Sequence, residues 1–216
     1  MPAPPTPADI AAARRALADR DPALGRVDAV VPPFPWREAE GGFVGLVRLI
    51  VDQQVSLAAG AAIWKRVEDG LGGAVTAEGV LARDIETLRG YGLSLPKARY
   101  FHEIARAQTS GFIDLEHLES LPDEEAVARL CAIKGVGLWT AETYLMFCQG
   151  RLDVFPGGDV ALQEAMRWMD RQDTRPNQKA AYARAEAWRP YRGVAAHLLW
   201  AWYGAVKRGE LSREAA

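Results

Sequence analysis

The residues best suited to chemistry are a glycine turn and a lone acid. In Ile133-Lys134-Gly135-Val136-Gly137-Leu138-Trp139-Thr140, two glycines flank Val136 between two helix-forming runs. In Phe155-Pro156-Gly157-Gly158-Asp159, one carboxylate stands where a new helix begins. Glycine allows positive φ and close approach by another backbone. The amides of residues 136–139 are expected to lie unpaired at a helix N-terminus, aimed outward, where the helix dipole favours an anion such as phosphate. Lys134 adds a cation there, and Val136 is expected to tuck inward and lock the two helices. Read alone, the same turn is also a generic helix–helix connection with a C-cap glycine.

Asp159 is open to two readings as well. An aspartate after a glycine pair is a common N-cap. The helix dipole also favours its charged form, which suits it to stabilising a cation that develops during a reaction. Asp153, the nearest competing acid, precedes the turn and is expected to be solvated. His102, His117 and His197 show no metal-ligand spacing.

Helices must position these groups. Phe43, Val44, Leu46, Val47, Ile50 and Val51 recur on one helical face. Ser56 is expected to cap a helix running to about Gly70 and stopped by Gly72-Gly73, Asp84 to cap Ile85–Arg89, and Ser94 to cap Leu95–Gln108. Ser120 or Asp123 starts the helix that enters the turn, and Leu138–Cys148 leaves it. Val160–Asp170, Gln178–Trp188 and Val194–Arg208 complete an all-α reading of about ten short helices. No alternating strand pattern and no internal repeat is found.

Composition narrows the class. The 216 residues are 49% hydrophobic and 25% charged, an ordinary globular balance for one body or two packed lobes. No long uncharged apolar run predicts a membrane span, and Met1-Pro2-Ala3-Pro4-Pro5-Thr6-Pro7 reads as a short disordered lead rather than a signal peptide. The net charge of −2 argues against coating nucleic acid by bulk electrostatics, although a small local footprint needs only a few cations and amides. Two cysteines, Cys131 and Cys148, are too few for an iron–sulfur cluster or a structural zinc site and are expected to be buried. A cytoplasmic location follows from this cysteine usage.

Together these motifs resemble the helix-hairpin-helix DNA glycosylase superfamily, most closely its 3-methyladenine DNA glycosylase II branch. Three further segments carry the resemblance. Val51-Asp52-Gln53-Gln54-Val55-Ser56 looks like that branch's Gln-Gln junction. Gly92-Leu93-Ser94-Leu95-Pro96-Lys97-Ala98-Arg99-Tyr100 looks like its Gly-Leu-Ser-x-x-Lys-x-x-Tyr segment. Trp188-Arg189-Pro190-Tyr191-Arg192-Gly193, followed by Leu199-Trp200, looks like its C-terminal motif. Lys134 stands where the family usually has Pro, and Pro-Gly-Gly precedes Asp159 in place of the more usual Pro-Asp or Ala-Pro-Asp. The residues ahead of Phe43 are too few for the β-rich N-terminal subdomain of well-known bacterial members, so a compact form is expected.

The resemblance implies a two-lobed fold with the active site in the cleft between lobes. Residues 1–40 and 151–216 would form the lobe carrying the acid, and residues 41–150 the lobe ending in the hairpin. It implies Asp159 as the catalytic carboxylate, and a base pocket of Trp139, Trp200, Thr143 and Tyr144. Trp139 lies where bifunctional relatives carry a Schiff-base lysine, which implies base release without strand cleavage. Gln53, Gln54, Lys134, Gly135, Val136, Gly137 and Thr140 would contact DNA, with Gln54 wedging into the duplex. Lys97 and Tyr100 would be structural or phosphate-side residues. Carbonyls of Cys131, Ile133 and Val136 could hold a structural Na+ or K+; no other cofactor is expected. The implied partner is double-stranded DNA with alkylated purines, met by a monomer associated with the nucleoid. The alternatives are a non-catalytic DNA-binding module, a glycosylase for other damaged bases, and a helical scaffold.

Overall fold

The computed structural model describes residues 4–215, and among these no residue is in a β-strand. Twelve α-helices follow one another: α1 (Pro7–Arg20), α2 (Pro22–Val30), α3 (Gly42–Asp52), α4 (Leu57–Gly70), α5 (Ala77–Leu81), α6 (Ile85–Gly90), α7 (Leu95–Thr109), α8 (Asp123–Cys131), α9 (Leu138–Gln149), α10 (Val160–Met169), α11 (Gln178–Ala185) and α12 (Arg192–Lys207). None is long and apolar enough to cross a membrane. The described residues divide into two compact units, one from Ala39 to Gln149, the other from Pro4 to Glu38 together with Gly150 onward.

Side-chain caps set most helix starts. Ser56, Asp84 and Asp159 each accept from an amide two or three residues on, at Ala59, Thr87 and Ala161, relieving amides that have no intrahelical acceptor. The supposed N-terminal lead is different: Met1–Ala3 lie outside the described residues, but Thr6 closes a capping box with Asp9 and Pro7 is the first residue of α1. Neither α1 nor α2 was evident from the sequence.

In the first unit α3 packs on α4, α7 and α9. Leu46, Val47 and Ile50 from α3, Phe101 and Ile104 from α7, and Leu145 and Met146 from α9 are wholly buried. α9 is buried on nearly every side from Thr140 to Met146, so it shows no amphipathic period. Cys148 is buried, and that burial pushes its thiol up to about 12; Cys131 is exposed, contrary to expectation, at the last turn of α8.

In the second unit α12 packs against α1, α2 and α10. Asp21 joins the ends of this unit. Its Oδ1 caps α2 through the amides of Ala23 and Leu24, while Oδ2 accepts from the Trp188 indole at 2.7 Å and pairs with Arg184 at 2.6 Å. Burial, the largest influence, pushes the carboxyl up, but the Trp188 and Arg184 bonds outweigh it and hold its pKa below the ordinary value. A depressed carboxyl stabilises the fold above its unfolded pKa and loses that contribution as pH falls through the folded value. Asp21→Ala should therefore cost about 3 kcal/mol at neutral pH, as expected when one partner of a buried pair is removed. The loss should shrink as the medium is acidified, which urea unfolding at several pH values will measure.

Candidate active site

Asp159 sits at the start of α10 with its carboxylate fixed. Oδ1 accepts from the amides of Ala161 at 2.9 Å and Leu162 at 3.0 Å, and from the indole Nε1 of Trp200 at 3.1 Å. Three N–H donors on one oxygen, at the positive end of a helix, complement a negative charge. The loop that delivers Asp159 is determined by packing. Phe155 is buried edge-on against Trp188, with ring centroids 5.6 Å apart. A Cβ on Gly157 would lie 2.8 Å from the Tyr182 ring, and the Gly157 carbonyl accepts from the Gln163 side chain at 2.8 Å. The close approach to Tyr182 accounts for Gly157, whereas a Cβ on Gly158 would make only ordinary contacts with Gln178.

Trp200 lies in α12 and lines a cavity of about 370 Å³ with Arg37, His197 and Ala201. The Arg37 guanidinium stands over its ring at 5.8 Å. His197 meets it edge-on and itself stacks on Trp36 at 3.8 Å. Burial pushes the His197 imidazole down to about 4, although its bond to the Gly193 carbonyl opposes this. The neutral ring donates from Nδ1 to Gly193 and accepts the Arg37 amide on Nε2, tying the segment before Glu38 to α12. Neither Arg37 nor His197 was singled out by the sequence as part of this surround.

Asp153 is not the solvated acid expected. It is held by Arg189 at 2.9 Å and by Arg192 at 3.0 Å, so its carboxylate is committed to the structure.

The hairpin between α8 and α9 carries the second group. Gly135 has φ +99, and a Cβ there would come within 2.2 Å of the Tyr100 ring, so both conformation and space require glycine. Val136 is buried, as expected. Its amide, however, donates to the Ile133 carbonyl at 3.0 Å and closes the turn, so it is not available to an anion. Gly137 has no positive φ and open space where a Cβ would lie. The first backbone bond of α9 runs from Ala141 to Gly137, so the amides just before Ala141 have no intrahelical acceptor. Lys134 is exposed beside this turn.

Trp139 is 37% exposed, unusual for so large an apolar ring. Two of its expected pocket companions, Thr143 and Tyr144, and one expected DNA contact, Thr140, face inward instead. Thr143 is wholly buried and its hydroxyl donates to the carbonyls of Trp139 and Thr140, so it lines no pocket. Tyr144 is also wholly buried, its hydroxyl donating to the carbonyls of Gly42 and Leu115, and burial drives its pKa upward. Both belong to the core of the first unit because α9 is enclosed from Thr140 to Met146. The Thr140 side chain is buried and accepts from Gln53 Nε2 at 2.9 Å, so its hydroxyl is turned toward another loop rather than solvent. Gln54, next to Gln53, is exposed and left-handed at φ +56.

The carboxylate fixed by an indole belongs to one unit, and the glycine hairpin that opens a helix belongs to the other. Residues 47–190 match the HhH-GPD superfamily of base excision DNA repair proteins, and the chain belongs to that family. DNA-3-methyladenine glycosylase 1 of Schizosaccharomyces pombe is 34% identical over 158 residues, which span 72% of this chain and 69% of that protein. A putative DNA-3-methyladenine glycosylase of Bacillus subtilis is 29% identical over 162 residues, 72% of this chain but 56% of its own length. The chain thus spans about half to two thirds of these relatives. Among solved structures, a DNA-3-methyladenine glycosidase from Bacillus halodurans superposes with a TM-score of 0.83 at 33% identity, covering 94% of each chain. The S. pombe 3-methyladenine DNA glycosylase in complex with abasic DNA superposes with a TM-score of 0.75 at 29% identity, covering 94% of this chain and 98% of that one.

The two hairpin glycines should differ on substitution. Gly135→Ala is expected to lose about 2 kcal/mol through strain and collision with Tyr100, whereas Gly137→Ala should change stability by less than about 1 kcal/mol. Denaturant unfolding of both variants checks this.

Proposed function

We propose that this chain is a monofunctional DNA glycosylase that binds double-stranded DNA as a monomer, flips out an alkylated purine and releases it by hydrolysis, leaving an abasic site. The observation that carries the reading is the Asp159 carboxylate, held by two helix amides and the Trp200 indole. Its relatives and structural neighbours bear the name of this activity, and one of the latter is bound to abasic DNA.

Alkylation at purine N3 or N7 makes the base cationic and already a good leaving group, so one carboxylate suffices without a dedicated general acid. As the glycosidic bond lengthens, positive charge grows on the deoxyribose, and Asp159 stabilises it electrostatically and orients the attacking water. Trp139 supplies an exposed aromatic face on which a cationic base can stack, worth about 0.5–2 kcal/mol. Flipping costs a few kcal/mol of stacking and pairing, and Gln54 fills the gap left in the duplex. Lys134 and the amides at the start of α9 hold a backbone phosphate.

The carbonyls of Cys131, Ile133 and Val136 would hold a monovalent cation beside that phosphate. Cys131 ends α8, where carbonyls lose their intrahelical donors. The Ile133 carbonyl accepts one amide and keeps a second lone pair for a metal ion. Such an ion would add positive charge at the phosphate contact.

Residue 139 is a tryptophan, whose side chain has no amine to form a Schiff base with the sugar, which supports base release without a covalent intermediate. Asp159→Asn should reduce release of methylated purines by about three orders of magnitude, in line with the loss of a main electrostatic stabiliser, while duplex binding survives; undiminished release would refute the assignment. Borohydride should trap no protein–DNA adduct, and efficient trapping would overturn the monofunctional reading.

A further inference from the structure

Lys97, in the first turn of α7, does not extend into water. Its ammonium donates to the carbonyl of Val51 at 2.8 Å and to that of Gln53 at 2.7 Å. Val51 lies in the last turn of α3 and Gln53 caps it, so Lys97 satisfies carbonyls that the helix end leaves without donors. Burial, the main influence, lowers the lysine's pKa, with Asp52 opposing; two charge-assisted bonds hold the half-buried ammonium in place.

The next residue, Gln54, is left-handed, a conformation that side chains other than glycine rarely adopt. Something must hold the chain there. The Gln53 carbonyl is fixed by Lys97 and the Gln53 side chain by Thr140 of α9. One turn along the same face of α7, Tyr100 packs where a Cβ of Gly135 would stand. A single helix face thus touches both the loop that presents Gln54 and the hairpin.

We propose that Lys97 is a positioning residue: it fixes the α3–α4 loop so that Gln54 is presented for insertion into the duplex, in register with the phosphate grip of the hairpin. This rests on the reading of the chain as a base-flipping glycosylase. A lysine that merely capped α3 would affect stability alone. One that acts through Gln54 must share its effect with Gln54.

The test combines Lys97→Met and Gln54→Ala, singly and together. Each single change should slow release of 7-methylguanine from duplex DNA about tenfold or more, the equivalent of one charge-assisted hydrogen bond, mainly in kcat. The double variant should be no slower than the slower single variant. In parallel, 2-aminopurine placed beside an abasic site reports insertion by fluorescence with no bond broken. Its signal should fall alike in Lys97→Met and Gln54→Ala, and Lys97→Gln, which can still reach one carbonyl, should give an intermediate signal. Multiplied losses in the double variant, or wild-type fluorescence in Lys97→Met, would overturn the proposal. If Lys97→Met does not fold, wild-type fluorescence in Lys97→Gln overturns it instead. Because the fluorescence arm needs no chemistry, failure of the wild-type protein to release any base would count against the glycosylase reading and leave the Lys97 result to stand by itself.

Discussion

The site depends on one hydrogen-bonded constraint: a single carboxylate oxygen, Oδ1 of Asp159, shared by two helix amides and one indole N–H. A carboxylate that only capped α10 would need the amides alone. The Trp200 bond makes α12 a second fixed support, and α10 and α12 pack directly against each other. Much of the second unit can be read as the means to keep those helices in place. Phe155 is buried against Trp188, Gly157 passes beneath Tyr182, and Asp21 ties Trp188 and Arg184 to the start of α2. A rigid support of this kind matters because electrostatic stabilisation works only when the charge is placed before the reaction begins.

The first unit meets a different demand, holding backbone in unfavourable conformations. Gly135 and Gln54 both have positive φ, one relieved by the absence of a side chain and the other held against its preference. The part of α9 from Thr140 to Met146 supplies the anchor: Tyr144 and Thr143 are spent on packing and internal hydrogen bonds, while Trp139 at its exposed start remains outward. Burying most of a helix steadies its exposed first turn against fraying.

Signals local in sequence were the legible ones. Ser56, Asp84, Ser94 and Asp159 announced their helices because a capping oxygen and the amide it serves lie two or three residues apart. The family match covering residues 47–190 likewise bears out the superfamily that the hairpin and its flanking motifs resembled. What the sequence concealed was set by distant partners. Trp200 and Asp159 are 41 residues apart, and the Arg37–His197 bond spans 160. Asp153 looked solvated because nothing nearby reveals Arg189 and Arg192. The burial of Thr143 and Tyr144 is not legible in the sequence, because a helix enclosed along most of its length has no period to show which side faces outward. The N-terminal helices α1 and α2 went unread because the proline-rich start masks a capping box at Thr6.

The central claim is that Asp159 and its supports break a glycosidic bond and no other. The most direct measurement incubates the protein with methylated duplex DNA, separates the released material by chromatography, and sizes the strands before and after alkali. The account predicts free methylated purines, with strands intact until alkali cleaves them at abasic sites. No released base, or strands already cut without alkali, would contradict it.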